Sequence, residues 1–211
     1  MITRIPLQGL LDVNCYLYAD DTSSHAFLID PGAQGEALFS WLRTHGITVE
    51  KILLTHGHFD HIGGLDVLWE REGIPVWIHE NGPAYLADPM LNLSGRFRRP
   101  LRFSGAQVFR DGELLSLEAN PDYTLQVIHT PGHTQDSVLF YDEKRGFAFS
   151  GDTIFQGSRG NDTFPGGNGA QLLESIRRRV LTLPAETVLY PGHGEATTVG
   201  AEKPSYSFLS R

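Results

Sequence analysis

Ten consecutive residues constrain this chain more than any others: Thr55-His56-Gly57-His58-Phe59-Asp60-His61-Ile62-Gly63-Gly64. Three imidazoles and one carboxylate fall within six residues, directly after the apolar run Lys51-Ile52-Leu53-Leu54. A short run of that kind bounded by glycine reads as a buried strand, so the cluster begins where a strand ends. Side chains leaving a strand can converge on one point if the backbone turns, and Gly57 with the Gly63-Gly64 pair supplies that freedom. Neutral imidazole nitrogen and carboxylate oxygen both suit zinc and its first-row neighbours. The spacing differs from His-Glu-x-x-His, in which one helical face presents two histidines to a single ion. Four potential ligands here, with more elsewhere, make room for two metal ions.

The same pattern recurs downstream. Tyr123 to Ile128 reads as a strand and delivers His129-Thr130-Pro131-Gly132-His133. Ser137 to Tyr141 and Phe147 to Phe149 read as a hairpin that delivers Ser150-Gly151-Asp152, and Thr187 to Tyr190 as a strand that delivers Pro191-Gly192-His193-Gly194. Four apolar strands thus end in a Gly-bordered His or Asp: His56, His133, Asp152 and His193. Ligands gathered at strand ends along one sheet edge form a rigid site. His129 precedes its Pro-Gly turn and reads as a core or supporting residue; His45 reads as structural and His79 as structural or surface. Asp30, in Asp30-Pro31-Gly32 at the end of the strand His25 to Ile29, reads as a turn residue rather than as a group that orients a ligand.

Before the central motif, Ile2 to Leu7, Cys15 to Ala19 and His25 to Ile29 form an antiparallel start, followed by a helix over Ala37 to His45 that Gly46 stops. After it come a helix carrying Leu65, Leu68 and Trp69, a strand Pro75 to Ile78, and a late helix carrying Leu172, Leu173, Ile176 and Val180. Residues 80–106, broken by Pro83, Pro89, Pro100, Gly82, Gly95 and Gly105, read as a short helix plus a long loop. Arg96, Arg98, Arg99 and Arg102 cluster there; the loop is read as solvated and basic rather than as a lid that draws in an anionic substrate.

At 211 residues the chain fits one domain, 1–211, with enough length for a substantial core. A formal net charge of −8 disfavours nucleic acid and anionic membrane as partners. No stretch approaches the ~20 apolar residues of a membrane span, and no signal-peptide core precedes Gln8, Gly9 and Asp12. The only cysteine, Cys15, can form no intramolecular disulfide, which fits a cytoplasmic location, and it reads as a half-buried strand residue.

In this order, His56-x-His58-x-Asp60-His61, His133, Asp152 and His193 resemble the metallo-β-lactamase superfamily. The resemblance implies an α/β fold, the four-layer αββα sandwich, with two divalent metal ions between the sheet edges. It also implies that His56, His58 and His133 hold one ion and Asp60, His61 and His193 the other, with Asp152 bridging and Asp60 also orienting the nucleophile. Zinc is the expected metal, with iron or manganese compatible. Within the superfamily, Thr130-Pro131-Gly132-His133-Thr134, Ser150-Gly151-Asp152-Thr153-Ile154-Phe155, Phe164-Pro165-Gly166-Gly167 and Tyr190-Pro191-Gly192-His193-Gly194 look most like glyoxalase II, the hydroxyacylglutathione hydrolase, in its short bacterial forms. Two features depart from that pattern. Asn161 stands where short forms tend to carry Arg, and the chain stops soon after His193, so no C-terminal helical glutathione-binding domain is expected and only weak discrimination of the thiol half. The implied activity is hydrolysis of a small-molecule thioester such as S-lactoylglutathione. A mononuclear iron persulfide dioxygenase is the alternative, followed by another esterase, lactonase or phosphodiesterase of the same fold.

Overall fold

The protein is described by a computed structural model over residues 1–210. Three antiparallel strands open it: β1 (Ile2–Leu7), β2 (Val13–Ala19) and β3 (His25–Ile29). Helix α1 (Gly35–Thr44) crosses to β4 (Thr48–Leu53), parallel to β3; α2 (Phe59–Ile62) and α3 (Leu65–Glu72) lead to β5 (Val76–His79). Helix α4 (Gly82–Ala87) and a 3-10 turn at Ser94–Phe97 then lead to β6 (Gln107–Phe109), and the six strands form one sheet in sequential order.

The second sheet begins with β7 (Leu114–Ser116), β8 (Thr124–His129), β9 (Val138–Asp142) and β10 (Phe147–Gly151). A two-stranded hairpin, β11 (Ile154–Phe155) with β12 (Ser158–Arg159), and helix α5 (Gly169–Ser175) intervene before β13 (Val188–Pro191), β14 (Thr197–Thr198) and α6 (Val199–Glu202). The spatial order is β14-β13-β10-β9-β8-β7.

Side-chain alternation along the strands builds the layers. In β2, Tyr16 and Tyr18 join Phe27, Ile29, Leu53 and Phe109 and meet Leu125, Val127, Phe140, Phe147 and Phe149 of the second sheet, forming the core between the sheets. The opposite faces of the same strands, Cys15, Leu17, Leu28 and Ile52, pack under Leu38, Leu42, Leu65 and Leu68 of α1 and α3. Leu139, Ala148 and Leu189 of the second sheet pack under Leu172, Ile176 and Val180. Strands apolar on both faces are what a sheet covered on both sides requires, and the result is the αββα sandwich. Cys15 is fully buried on the helix side, not half-buried as its strand position implied, because α1 and α3 cover that face.

Strand direction gathers the ends that matter. Strand β13 is parallel to β10, whereas β9 is antiparallel to both β10 and β8. Strands β8, β10 and β13 therefore run one way and release His133, Asp152 and His193 at one edge. In the first sheet β3 and β4 are parallel and release Asp30 and Thr55 side by side. Backbone bonds join the two edges: Val138 donates to the Thr55 carbonyl at 2.9 Å, and Asn14 to the Gly192 carbonyl at 2.8 Å. The turn after Asp30 allows nothing larger than glycine at position 32, since a Cβ there would lie 1.5 Å from the Asp60 carbonyl oxygen. That close approach seats α2, with Asp60 and His61, against the end of β3.

Candidate metal centre

His56, His58, Asp60, His61, His133, Asp152 and His193 all meet at the shared edge of the two sheets. Three groups of donor atoms lie within 4.8 Å of one another: His56, His58 and His133; Asp60, His61 and His193; and His56, His61 and Asp152.

The first group presents three ring nitrogens to one point. His58 Nδ1 lies 3.1 Å from His56 Nε2 and 3.0 Å from His133 Nε2. The far side of each partner ring determines which nitrogen carries the proton. His133 Nδ1 faces the Asn161 carbonyl at 2.6 Å, and His56 Nδ1 faces the Thr55 hydroxyl at 3.2 Å, whose own proton goes to Asp30. Both Nδ1 atoms therefore donate, and both Nε2 atoms point their lone pairs inward. Burial holds His56 well below its ordinary pKa, with the neighbouring imidazoles adding to the effect. Burial likewise brings His58 down to about 3 and lowers His133. Neutral imidazoles with converging lone pairs are the form that ligates a cation.

The second group carries carboxylates. His61 Nδ1 donates to Asp30 Oδ2 at 2.9 Å and His193 Nδ1 to the Asp12 carbonyl at 2.7 Å, so both Nε2 atoms face inward. His193 Nε2 lies 3.2 Å from Asp60 Oδ2, and Asp152 reaches His61, His133 and His193 at 3.4, 3.6 and 3.5 Å. Burial opposes charge on both rings, but these carboxylates outweigh it, raising His61 well above its ordinary value and His193 to about 10. Burial likewise resists ionisation of Asp152, yet the charge of His61 and then of His193 holds it well below the usual carboxylate range. In this group a divalent cation would take the place of the ring protons.

The fit to metal rests on two observations. His61 Nε2 and Asp152 Oδ1 are buried without a hydrogen-bond partner among the described residues, an arrangement costly for polar atoms that nothing else satisfies. Gly192 preserves the space beside them, since a Cβ would lie 2.5 Å from Asp152 Oδ1 and 2.6 Å from His61 Cε1. The cluster is compatible with a dinuclear metal site. It forms the floor of a cavity of about 350 Å³ whose wall includes Leu11, Arg96, Phe97, Phe155, Asn161 and Phe164.

Asp30 overturns its reading as a turn residue. Buried, it accepts from the Thr55 amide at 2.8 Å, from the Thr55 hydroxyl at 2.6 Å and from His61. A local signal was present, since Asp30 ends a strand as the ligands do, but its partners lie 25 residues or more away along the chain. The Asp12 and Asn161 carbonyls that orient His193 and His133 are backbone groups with no residue signature. Among the arginines of residues 80–106, read as solvated throughout, Arg96 instead lines the reaction cavity.

His79 and His129 stay out of the cluster. They close β5 and β8 and stack with centroids 4.0 Å apart and planes 11° from parallel. Burial lowers His79 to about 4, and His129 adds to the effect. Because the unfolded chain binds this proton more readily, the stability owed to neutral His79 is fully present above pH ~6.5 and is lost as pH falls towards 4. Urea midpoints of wild type and His79→Phe should converge between pH 7.5 and 5, since the variant lacks this term; a constant gap would refute the assignment.

The metallo-beta-lactamase superfamily profile matches residues 8–193. The chain is 38% identical over 98% of its length to the probable metallo-hydrolase YqgX of Bacillus subtilis, covering 96% of that protein. It is 34% identical over 93% of its length to the hydroxyacylglutathione hydrolase GloC of Haemophilus influenzae, covering 92% of it. The crystal structure of the BLEG-1 B3 metallo-beta-lactamase superposes with a TM-score of 0.91 at 38% identity, covering both chains fully. That of TTHA1623 in a di-iron-bound form gives 0.85 at 35% identity, over 98% of this chain and 100% of that one. With a profile match over most of its length and relatives aligned nearly end to end, the chain belongs to the metallo-beta-lactamase superfamily.

Proposed function

We propose that this protein is a dinuclear thioesterase of the glyoxalase II type, cleaving S-lactoylglutathione or a related acyl thioester to an acid and a thiol. The observation that carries the reading is the meeting of two donor groups, with Asp152 between them, at the floor of a single open cavity. The likeness to GloC supports the choice of substrate. In this reading His56, His58 and His133 hold one ion, Asp60, His61 and His193 the other, and Asp152 serves both. Two divalent ions, zinc in the first place and iron or manganese as alternatives, would supply an activated water and an electrophile for the substrate carbonyl.

The chain's own residues supply orientation and proton handling. Asp30 and the carbonyls of Asp12 and Asn161 hold three of the imidazoles in one tautomer. Asp60, on the cavity floor, is the group that orients the attacking water and accepts its proton. Leu11, Phe97, Phe155 and Phe164 form apolar walls that limit solvent and suit an acyl chain. A thiol with a pKa near ~8.5 departs as thiolate and needs no acid.

Purified protein is expected to carry two equivalents of metal by elemental analysis. Chelation should abolish hydrolysis of S-lactoylglutathione, and metal should restore it. A single tightly held iron with oxygen uptake on glutathione persulfide would replace this reading with a dioxygenase. Turnover of β-lactams in preference to every thioester tested would replace it with a lactamase.

A further inference from the structure

The arginines of this chain divide sharply by their partners. Among the described residues, every arginine from Arg4 to Arg71 and from Arg110 to Arg179 forms an ion pair with an Asp or Glu side chain. Arg96, Arg98, Arg99 and Arg102 form none. With 25 acidic residues against 17 basic ones, a carboxylate is available almost anywhere on this surface. Four arginines left without an ion-pair partner stand together on one loop, although Asp60 lines the same cavities as Arg96 and Arg99.

Two of the four front cavities. Arg96 lines the reaction cavity beside His58 and His133, its guanidinium 5.5 Å from the centre of the Phe164 ring. Arg99 lines an adjoining cavity of about 270 Å³ with Gln8, Gln34 and Ser94. Leu11, Phe59 and Asp60 line both cavities and so form the wall between them.

The loop is held in place. The fully buried Asn92 donates to the Tyr85 and Leu101 carbonyls, each at 3.0 Å, and accepts from the Ser94 amide and hydroxyl at 3.0 and 2.6 Å. The Asn92 carbonyl accepts from the amide of Phe59, the residue before Asp60, at 2.9 Å. The arginine loop is thereby fixed relative to the metal centre, and contact with Phe164 restricts Arg96 further.

A planar guanidinium is the side chain best matched to a carboxylate, which it can take through two parallel N–H donors. Building on the thioesterase reading, we propose that Arg96 and Arg99 are specificity-determining residues forming a two-point carboxylate site. The substrate is then a thioester bearing two carboxylates, one against Arg96 in the reaction cavity and the other reaching Arg99 in the adjoining one. A nucleic acid fits less well, because the two guanidinium groups line separate recesses and the chain carries net charge −8.

The test is binding, measured apart from turnover. Metal-loaded protein is titrated calorimetrically with S-methylglutathione, an unreactive thioether with two carboxylates, and with its dimethyl ester. The acid should bind about tenfold or more tightly than the ester, the scale of one well-made charge-assisted contact. Arg96→Ala and Arg99→Ala should each remove several-fold of that preference, Arg96→Lys should keep part of it, and Arg43→Ala, which also deletes one positive charge, should keep all of it. Thermal melts confirm that each variant folds. Equal binding of acid and ester by wild type, or equal weakening of both in Arg96→Ala, would overturn the proposal. So would displacement of S-methylglutathione by a single-stranded oligonucleotide whose binding needs the same arginines. A wild type that prefers the acid but hydrolyses no thioester keeps the carboxylate site and loses the thioesterase reading; equal kcat/KM on dianionic and neutral thioesters does the reverse.

Discussion

Asp152→Ala is expected to lower kcat/KM on the order of 10²- to 10³-fold, the scale of losing a preorganised charged group at a reaction centre. Its metal content should fall from two equivalents towards one. Among the described residues, Asp152 is the one carboxylate within 3.4 to 3.6 Å of three imidazoles drawn from both donor groups. In the proposed dinuclear centre its charge would screen the mutual repulsion of two cations, and Gly192 beside it has no side chain to take its place. Asp152→Asn keeps the shape and loses the charge, so it should retain the fold while losing most of the second metal. His79→Ala and His129→Ala, which break the stacked pair and its hydrogen bonds to Asn81 and Gln135 but remove no ligand-type residue of the cluster, should keep both ions. Equal metal content and activity in Asp152→Ala, His79→Ala and His129→Ala would show that the cluster has been misassigned.

The second large effect belongs to Asp30. Asp30→Asn should lower metal affinity or activity by about ten- to a hundredfold, the usual cost of losing the group behind a metal-binding histidine. The substitution suits the backbone, since Asp30 sits at φ 51° and asparagine tolerates the left-handed region well. Asparagine can still accept from the Thr55 amide but no longer offers a carboxylate to His61 Nδ1, so the loss should concentrate in the group containing Asp60, His61 and His193. Asp30→Ala leaves the buried Thr55 amide without an acceptor and should cost a further ~1–3 kcal/mol of stability. Competition titration with a chromophoric chelator separates the two effects. A wild-type affinity for both ions in Asp30→Asn would return Asp30 to the role of a turn residue.

Much of the architecture is written locally. The runs Tyr16 to Ala19, Phe27 to Ile29 and Phe147 to Phe149 are apolar on successive residues, which announces strands covered on both faces. The helix periods after Asp30 and Gly64 sit where α1 and α3 lie. The short strands β6, β7, β11, β12 and β14 were not legible, because two or three residues carry no period and exist as strands only through a partner. Each ligand-type residue also stood out locally, through chemistry and a glycine border, as at His56, His133, Asp152 and His193.

The sequence by itself determined which side chains have metal chemistry and that each of them follows a strand, because both properties depend on residue type and near neighbours. Tertiary structure decided which of these meet. Strands β8, β10 and β13 had to share a direction for His133, Asp152 and His193 to reach one edge, and β3 had to lie parallel beside β4 for Asp30 to stand behind His61. It also decided that Arg96 and Arg99 face cavities without an ion-pair partner while other arginines are paired, since charge pairing depends on where distant carboxylates come to rest. Strand pairing and charge pairing are long-range relations, and residue type and spacing carry only the local ones.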